Sequence, residues 1–143
     1  MSEAQNEQVI RAYLEAHARK DVAAQMALVN DDCVTVYPTL RTVNKSEWYQ
    51  LIEQEHEAFP DPKLSNLILI CQGDMVAAVI DWDATFKKDY GSRRATNQHV
   101  AVPVVFIFEM KNGRISRCQY FWNTGLIPGW NDPAPQPATV AEG

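Results

Sequence analysis

Five polar or titratable residues lie among apolar, strand-forming residues and could carry out acid/base chemistry: Asp81, Asp83, Gln98, His99 and Tyr120. Two carboxylates on one strand face repel each other, and burial raises a carboxyl pKa further. A pair of this kind facing a cavity would leave one Asp as a base and the other as a proton donor near neutral pH. His99 titrates near neutrality, and the phenol of Tyr120 can donate a hydrogen bond to a developing oxyanion.

The strand that carries the two aspartates allows two orientations. Its even positions, from residue 76 to residue 86, are all apolar, and this alternation alone turns Asp81 and Asp83 to solvent. The opposite orientation places both carboxylates in a pocket. The two orientations have about equal weight from the sequence, and a lone His such as His99 is more often structural or exposed than catalytic.

Three helices must position these strands, and they are predicted over residues 3–19, 22–29 and 47–59, with Asp21 and Ser46 as N-caps of the second and third. His17 and His56 lie on helices and are weaker acid/base candidates than His99. The apolar stripe of the first helix contains Val9, Ile10, Tyr13, Leu14 and His17. One side of the third helix contains Trp48, Leu51, Ile52, Glu55 and Phe59.

Strands are predicted over residues 33–37 and 64–72, followed by three long antiparallel strands between residues 75 and 124. This order is typical of an α+β fold. We predict a cone-shaped barrel made of a highly curved, mostly antiparallel sheet, with the N-terminal helices packed over its concave face. Residues 1–132 are predicted to form a single domain, and the Pro- and Ala-rich residues 133–143 a mobile tail.

The chain has four tryptophans and five tyrosines, which are enough to line such an interior. Core packing is the alternative role for each aromatic residue taken singly. The candidate substrate-binding residues are Tyr13, Tyr37, Trp48, Trp82, Phe106 and Trp122.

Composition excludes several classes of function. A formal net charge of -5 argues against nucleic-acid binding. The sequence has no signal-peptide pattern and no run of 18 apolar residues, so we expect a cytoplasmic protein with no membrane partner. Its three cysteines show no Cys-x-x-Cys spacing, which favours a reducing compartment. No motif suggests a metal or a nucleotide, so no cofactor is predicted.

Four segments resemble the SnoaL-like polyketide cyclases: Val-Thr-Val-Tyr-Pro at 34–38, Glu-Ala-Phe-Pro-Asp-Pro at 57–62, Val-Ile-Asp-Trp-Asp at 79–83 and Phe-Glu-Met-Lys-Asn-Gly-Arg-Ile-Ser-Arg at 108–117. These cyclases belong to the nuclear-transport-factor-like superfamily, with limonene epoxide hydrolase, ketosteroid isomerase and scytalone dehydratase. The resemblance covers roughly residues 9–123. It implies the cone-shaped α+β fold, a homodimer and an acid/base enzyme without a cofactor.

The chain departs from these relatives at the positions that carry their chemistry. The resemblance places Tyr120 where a cyclase has a catalytic Asp, Phe106 where it has a His, and Val104 where it has a Gln. Limonene epoxide hydrolase has Arg-x-Asp where this chain has Asp81-Trp82-Asp83. The resemblance therefore makes Asp83 the principal acid/base candidate, assisted by Asp81 or His99, with Tyr120 as the hydrogen-bond donor.

Two functions remain open at this point. The first is a cyclase, isomerase or hydrolase/dehydratase that acts on an apolar polyketide- or terpenoid-like molecule in a deep pocket. The second is a non-catalytic small-molecule-binding or dimerisation module of the same fold. Inward carboxylates at positions 81 and 83 would favour the enzyme, and outward ones the binding module. Val105, Ile107 and Phe121 on the outer sheet face favour a homodimer.

Overall fold

One six-stranded sheet and three α-helices make up most of residues 2–127, which are the residues that the computed structural model describes. The helices are α1 (Glu3–Ala18), α2 (Val22–Met26) and α3 (Lys45–Ala58). The strands are β1 (Val29–Val36), β2 (Thr42–Asn44), β3 (Lys63–Gln72), β4 (Met75–Thr85), β5 (His99–Lys111) and β6 (Arg114–Phe121). The predicted tail, residues 133–143, lies outside the described residues.

The strands follow the order β2-β1-β6-β5-β4-β3. β1 and β6 run parallel, and the other neighbouring strands are antiparallel. The two edge strands, β2 and β3, are not paired with each other, so hydrogen bonds do not close the predicted barrel. The α+β class and the mostly antiparallel sheet are confirmed.

Two capping boxes fix where the long helices begin. The Ser2 hydroxyl accepts a hydrogen bond from the Gln5 backbone N–H at 3.1 Å, and the Gln5 side chain accepts one from the Ser2 N–H. Asn44 and Glu47 exchange the same pair of bonds at the start of α3, each 2.9 Å long. Asn44, rather than the predicted Ser46, is therefore the N-cap of α3.

The segment between α2 and β1 differs from the prediction. α2 ends at Met26, and β1 begins at Val29 rather than at residue 33. The polar residues at the start of β1 find partners on neighbouring elements: the Asn30 amide donates to the Lys111 carbonyl at the end of β5 at 3.1 Å, and the Lys45 ammonium at the start of α3 donates to the Asp31 carboxylate at 3.1 Å. These bonds compensate for the low strand propensity of Asn and Asp.

Side-chain alternation on β4 and β5 defines the inner face of the sheet. The even positions of both strands are buried, whereas Asp81 and Ala101 at odd positions are exposed. The alternation of the sequence therefore predicts the orientation of β4 correctly, and the pocket-facing orientation of Asp81 and Asp83 is wrong. No helix within residues 2–127 is long and apolar enough to cross a membrane.

Candidate functional site

A cavity of about 550 Å³ lies between the inner face of the sheet and helices α1 and α3. The helices contribute His17 and Glu55, and the loops before β2 and β5 contribute Arg41 and Arg93. Its apolar wall includes Tyr37, Leu51, Phe59, Ile80, Trp82, Val102, Val104, Phe106, Tyr120 and Trp122. This volume is in the range of pockets that hold small organic ligands.

Most of the predicted binding residues meet at this cavity. Four of the six line it, Tyr37, Trp82, Phe106 and Trp122, and so does Tyr120, which the sequence predicts as a catalytic residue. Tyr13 and Trp48 do not line it and pack one layer behind, with ring centroids 5.8 Å apart. The Trp48 indole N–H donates to the Tyr120 hydroxyl at 3.1 Å, so this second layer positions a residue of the cavity wall.

The three other predicted catalytic residues lie on the opposite face of the sheet. Asp81 accepts a hydrogen bond from the Asn66 amide at 2.7 Å. The Asp83 carboxylate lies 2.9 Å from Nε2 of His99, whose side chain is exposed. Since inner and outer side chains alternate along a strand, none of these three reaches the cavity.

The Asp83–His99 pair extends into a surface network. Nδ1 of His99 lies 3.3 Å from the Thr85 hydroxyl, and that hydroxyl donates to the Asp61 carboxylate at 2.8 Å. Asp61 also accepts the Thr85 backbone N–H, and these bonds lower the pKa of the Asp61 carboxyl. The network thus joins the ends of β4 and β5 to the segment that follows α3.

A different carboxyl faces the cavity. Glu55 on α3 lines it, and one of its carboxylate oxygens lies 3.4 Å from Nε2 of His17 on α1. Only 26% of the Glu55 side chain and 12% of the His17 side chain are exposed. The cavity therefore contains an acid and an imidazole in contact.

Burial shifts the titration of both groups. It raises the pKa of the Glu55 carboxyl to about 7. Burial, together with the nearby His56 imidazole, lowers the pKa of His17 to about 3. Near neutral pH, Glu55 therefore exchanges a proton readily while His17 stays neutral, which is the condition that general acid/base catalysis requires.

A buried glutamine connects this pair to a second histidine. The Gln25 amide nitrogen lies 3.3 Å from Nδ1 of His17, and its oxygen lies 3.2 Å from Nε2 of His56. Burial and the positive charge of Lys20 lower the pKa of His56 to about 4, so this imidazole is also neutral.

Hydrogen-bond donors on the cavity wall complete the site. Burial holds the pKa of Tyr120 well above its usual value, so its hydroxyl keeps its proton. The indole N–H groups of Trp82 and Trp122 are buried and find no acceptor among residues 2–127. A buried donor without a partner is costly.

The profile of the SnoaL-like domain matches residues 10–118. The chain belongs to the SnoaL-like family. This confirms the family resemblance described above, although no curated protein matches the chain.

Solved structures of similar fold cover between 85% and 99% of this SnoaL-like chain. AclR, a proposed hydroxylase from Streptomyces galilaeus, superposes with a TM-score of 0.77 at 20% identity, over 99% of this chain and 98% of AclR. A proposed polyketide cyclase from Xanthomonas campestris gives 0.78 at 18% identity, over 85% and 92% of the two chains. A proposed isomerase from Bacillus subtilis gives 0.75 at 17% identity, over 89% and 93%. At these identities the likeness establishes the fold alone.

Glu55 is not predicted as a catalytic residue of this SnoaL-like domain from its sequence. The sequence does, however, contain a pattern that points to it. Glu55 and His17 occupy positions on the apolar stripes of two separate helices. An ionisable residue on such a stripe needs a buried partner or a wet cavity. Here each supplies the partner of the other, beside a cavity.

Proposed function

We propose that this protein is an acid/base enzyme that needs no cofactor and that cyclises, isomerises, hydrolyses or dehydrates an apolar polyketide- or terpenoid-like small molecule. Glu55 is the proposed general acid/base, and His17 is the group that contacts it. The observation that carries the proposal is a carboxyl of raised pKa that faces an apolar cavity of ligand size.

The proposed chemistry follows from the wall of the cavity. A Glu55 carboxylate removes a proton from a carbon or oxygen of the substrate, and the protonated form returns one to another position. Negative charge develops on a substrate oxygen as the first proton is removed, and the Tyr120 hydroxyl on the cavity wall is suited to bind that oxygen. The aromatic wall excludes water and accommodates an apolar body.

The alternative proposal is a non-catalytic binding module. It is favoured by the outward orientation of Asp81 and Asp83, and by the wall-forming Val104, Phe106 and Tyr120 at positions where the cyclases have polar catalytic groups. Both proposals require a ligand in the cavity. Only the enzyme requires Glu55 to transfer a proton.

Ligand binding can be tested by filling the cavity. We expect Val104→Trp, which adds bulk on the inner face of β5, to weaken binding at least ~10-fold by displacing the ligand. Val105→Trp makes the same change at the neighbouring residue, which faces away from the cavity, and is expected to leave binding unchanged. A thermal-shift screen of polycyclic aromatic and terpenoid compounds would supply the ligands, and fluorescence titration their dissociation constants.

Unchanged binding in Val104→Trp would show that the ligand does not occupy this cavity, and both proposals would then be wrong. Binding that only Val104→Trp weakens, without turnover of any bound compound, would leave the binding module as the function. Turnover of a bound compound would favour the enzyme.

We also propose that the protein forms a homodimer through the outer face of the sheet. Apolar side chains are exposed there on two strands: Ile68 (56%) and Ile70 (61%) on β3, and Phe121 (46%) on β6. Such a surface is typical of an interface between protein chains. Sedimentation at tens of micromolar should show a dimer, and Ile70→Lys should shift it toward monomer. A wild-type monomer at this concentration would contradict the proposal.

A further inference from the structure

An unbroken line of contacts connects Glu55 to a histidine that does not line the cavity. It runs from Glu55 on α3 to His17 on α1, on to Gln25 on α2, and back to His56 on α3. Each of the three contacts is between 3.2 and 3.4 Å. His56 and Gln25 are buried, so among the described residues the middle of this line has no competing solvent contact.

The orientation of the Gln25 amide fixes the protons on both histidines. Its nitrogen can only donate, so Nδ1 of His17 is an acceptor and the single proton of this neutral ring lies on Nε2. That proton points to the Glu55 carboxylate. The amide oxygen can only accept, so His56 carries its proton on Nε2 as well.

We propose that Gln25 is a positioning residue that couples the protonation of Glu55 to the tautomers of His17 and His56 by rotation of its side-chain amide. This inference rests on the proposed role of Glu55 as the acid/base. The arrangement in the structure is the one that stabilises an ionised Glu55, because His17 donates to it.

Protonation of Glu55 requires the reverse arrangement. The carboxyl then donates to Nε2 of His17, His17 carries its proton on Nδ1 and donates to the Gln25 oxygen, and the rotated amide nitrogen donates to Nε2 of His56. The change binds one proton from solvent, which is the proton gained by Glu55. Each imidazole stays neutral and moves its one proton from Nε2 to Nδ1, so charge and protons balance.

The titratable and charged groups around these contacts do not change charge in the neutral pH range. The groups facing Glu55 are His17 from α1 and the phenols of Tyr13, Tyr37, Tyr90 and Tyr120. Burial raises the pKa of all four phenols, so they stay protonated. Lys20 is the charged group near His56. The guanidinium groups of Arg41 and Arg93 also lie near Tyr90. Glu55 is thus the group whose charge changes near neutral pH.

Nuclear magnetic resonance of the full chain labelled with ¹⁵N-histidine tests the coupling without a substrate. The chain has three histidines, and His99→Asn identifies the signals of the exposed one. At about pH 9 we expect His17 and His56 both to carry the proton on Nε2. As the pH falls through about 7, both should move it to Nδ1 with one shared midpoint, and neither should become an imidazolium above about pH 5.

Two variants separate this coupling from a merely structural role. Glu55→Gln has no carboxyl to titrate, so both tautomers should be constant between about pH 6 and pH 9. Gln25→Met keeps the length of the side chain but removes the amide, so His17 should still respond to Glu55 while His56 does not. If either variant fails to fold, the titration of the wild-type protein alone still tests whether the two tautomers change together with Glu55.

The coupling is wrong if the wild-type histidines keep one tautomer while Glu55 titrates, if they change at different midpoints, or if His56 still follows Glu55 in Gln25→Met. These outcomes are distinct from failure of the proposed enzyme. Tautomer exchange in a protein that turns over no compound would leave the coupling standing and remove the catalytic role of Glu55. Fixed tautomers together with a loss of turnover in Glu55→Gln would rule out the coupling and support the catalytic role of Glu55.

Discussion

Acidification from pH 7 to pH 4 should lower the free energy of unfolding by about 3 kcal/mol through three buried groups alone. The pKa of His17 falls to about 3 and that of His56 to about 4 on folding, from an ordinary value of 6.5. Below pH 6.5 the unfolded chain therefore binds protons that the folded chain does not, and the two histidines together cost about 6 kcal/mol at pH 4. The contribution of Glu55 to the free energy of unfolding has the opposite sign and offsets about 3 kcal/mol of this loss, because the pKa of Glu55 is raised in the folded protein.

Urea unfolding at a series of pH values measures this effect as a slope. In the double variant His17→Gln/His56→Gln the slope between about pH 6 and pH 4 should fall by roughly 2.5 kcal/mol per pH unit relative to wild type, whatever the variant does to stability at pH 7. The slope is the readout because loss of packing shifts the free energy by a constant. An unchanged slope would mean that the two imidazoles are protonated in the folded protein.

The orientation of β4 was predictable from its sequence. Every even position from residue 76 to residue 86 is apolar and buried, so the opposite orientation would expose Trp82 and Phe86 and bury two carboxylates. Alignment with the family alone favours the wrong face of the sheet. It matches Asp83 to a catalytic residue but takes no account of the apolar residues on either side of Asp83. Here the alternation of apolar and polar residues along β4 predicts the orientation better, because the apolar face is the one that folding buries.

The start of α3 was also predictable, from a pattern that spans four residues. Asn44 and Ser46 are both favourable N-cap residues. A capping box needs Glu or Gln three residues after the cap; Asn44 has Glu47 at that position, whereas Ser46 has Tyr49. The cap alone is ambiguous, and the reciprocal bond from Glu47 decides the boundary.

The Glu55–His17 contact could not be predicted from the sequence to the same degree. Each residue is recognisable as a polar exception on an apolar helical stripe. Which residue it meets depends on how α1 and α3 pack over the sheet, and the two residues are 38 positions apart. Short-range periodicity gives the direction of a side chain along one helix, but it does not give the register between two helices.

Replacing Glu55 with Gln should stabilise the protein at alkaline pH. Burial raises the pKa of this carboxyl from 4.5 to about 7, so its stabilising contribution is complete below pH 4.5 and is lost as the pH rises to 7. At pH 9 the wild-type protein holds a buried carboxylate at a cost of about 3 kcal/mol, which a neutral amide avoids. Unfolding free energies should therefore be equal at about pH 4 and should favour Glu55→Gln by about 3 kcal/mol at about pH 9.

The same substitution should abolish most of the activity. An amide keeps the shape and the hydrogen bond to His17 but cannot transfer a proton, so turnover of compounds that bind the cavity should fall about 10²–10⁴-fold. Asp83→Asn is the matched control, a carboxylate-to-amide change on the outer face, and is expected to retain turnover and to show no gain at pH 9. Loss of turnover in Asp83→Asn but not in Glu55→Gln would return the catalytic role to the aspartate. A variant that gains stability while losing turnover shows that the buried carboxyl is kept for chemistry, because folding alone selects against it.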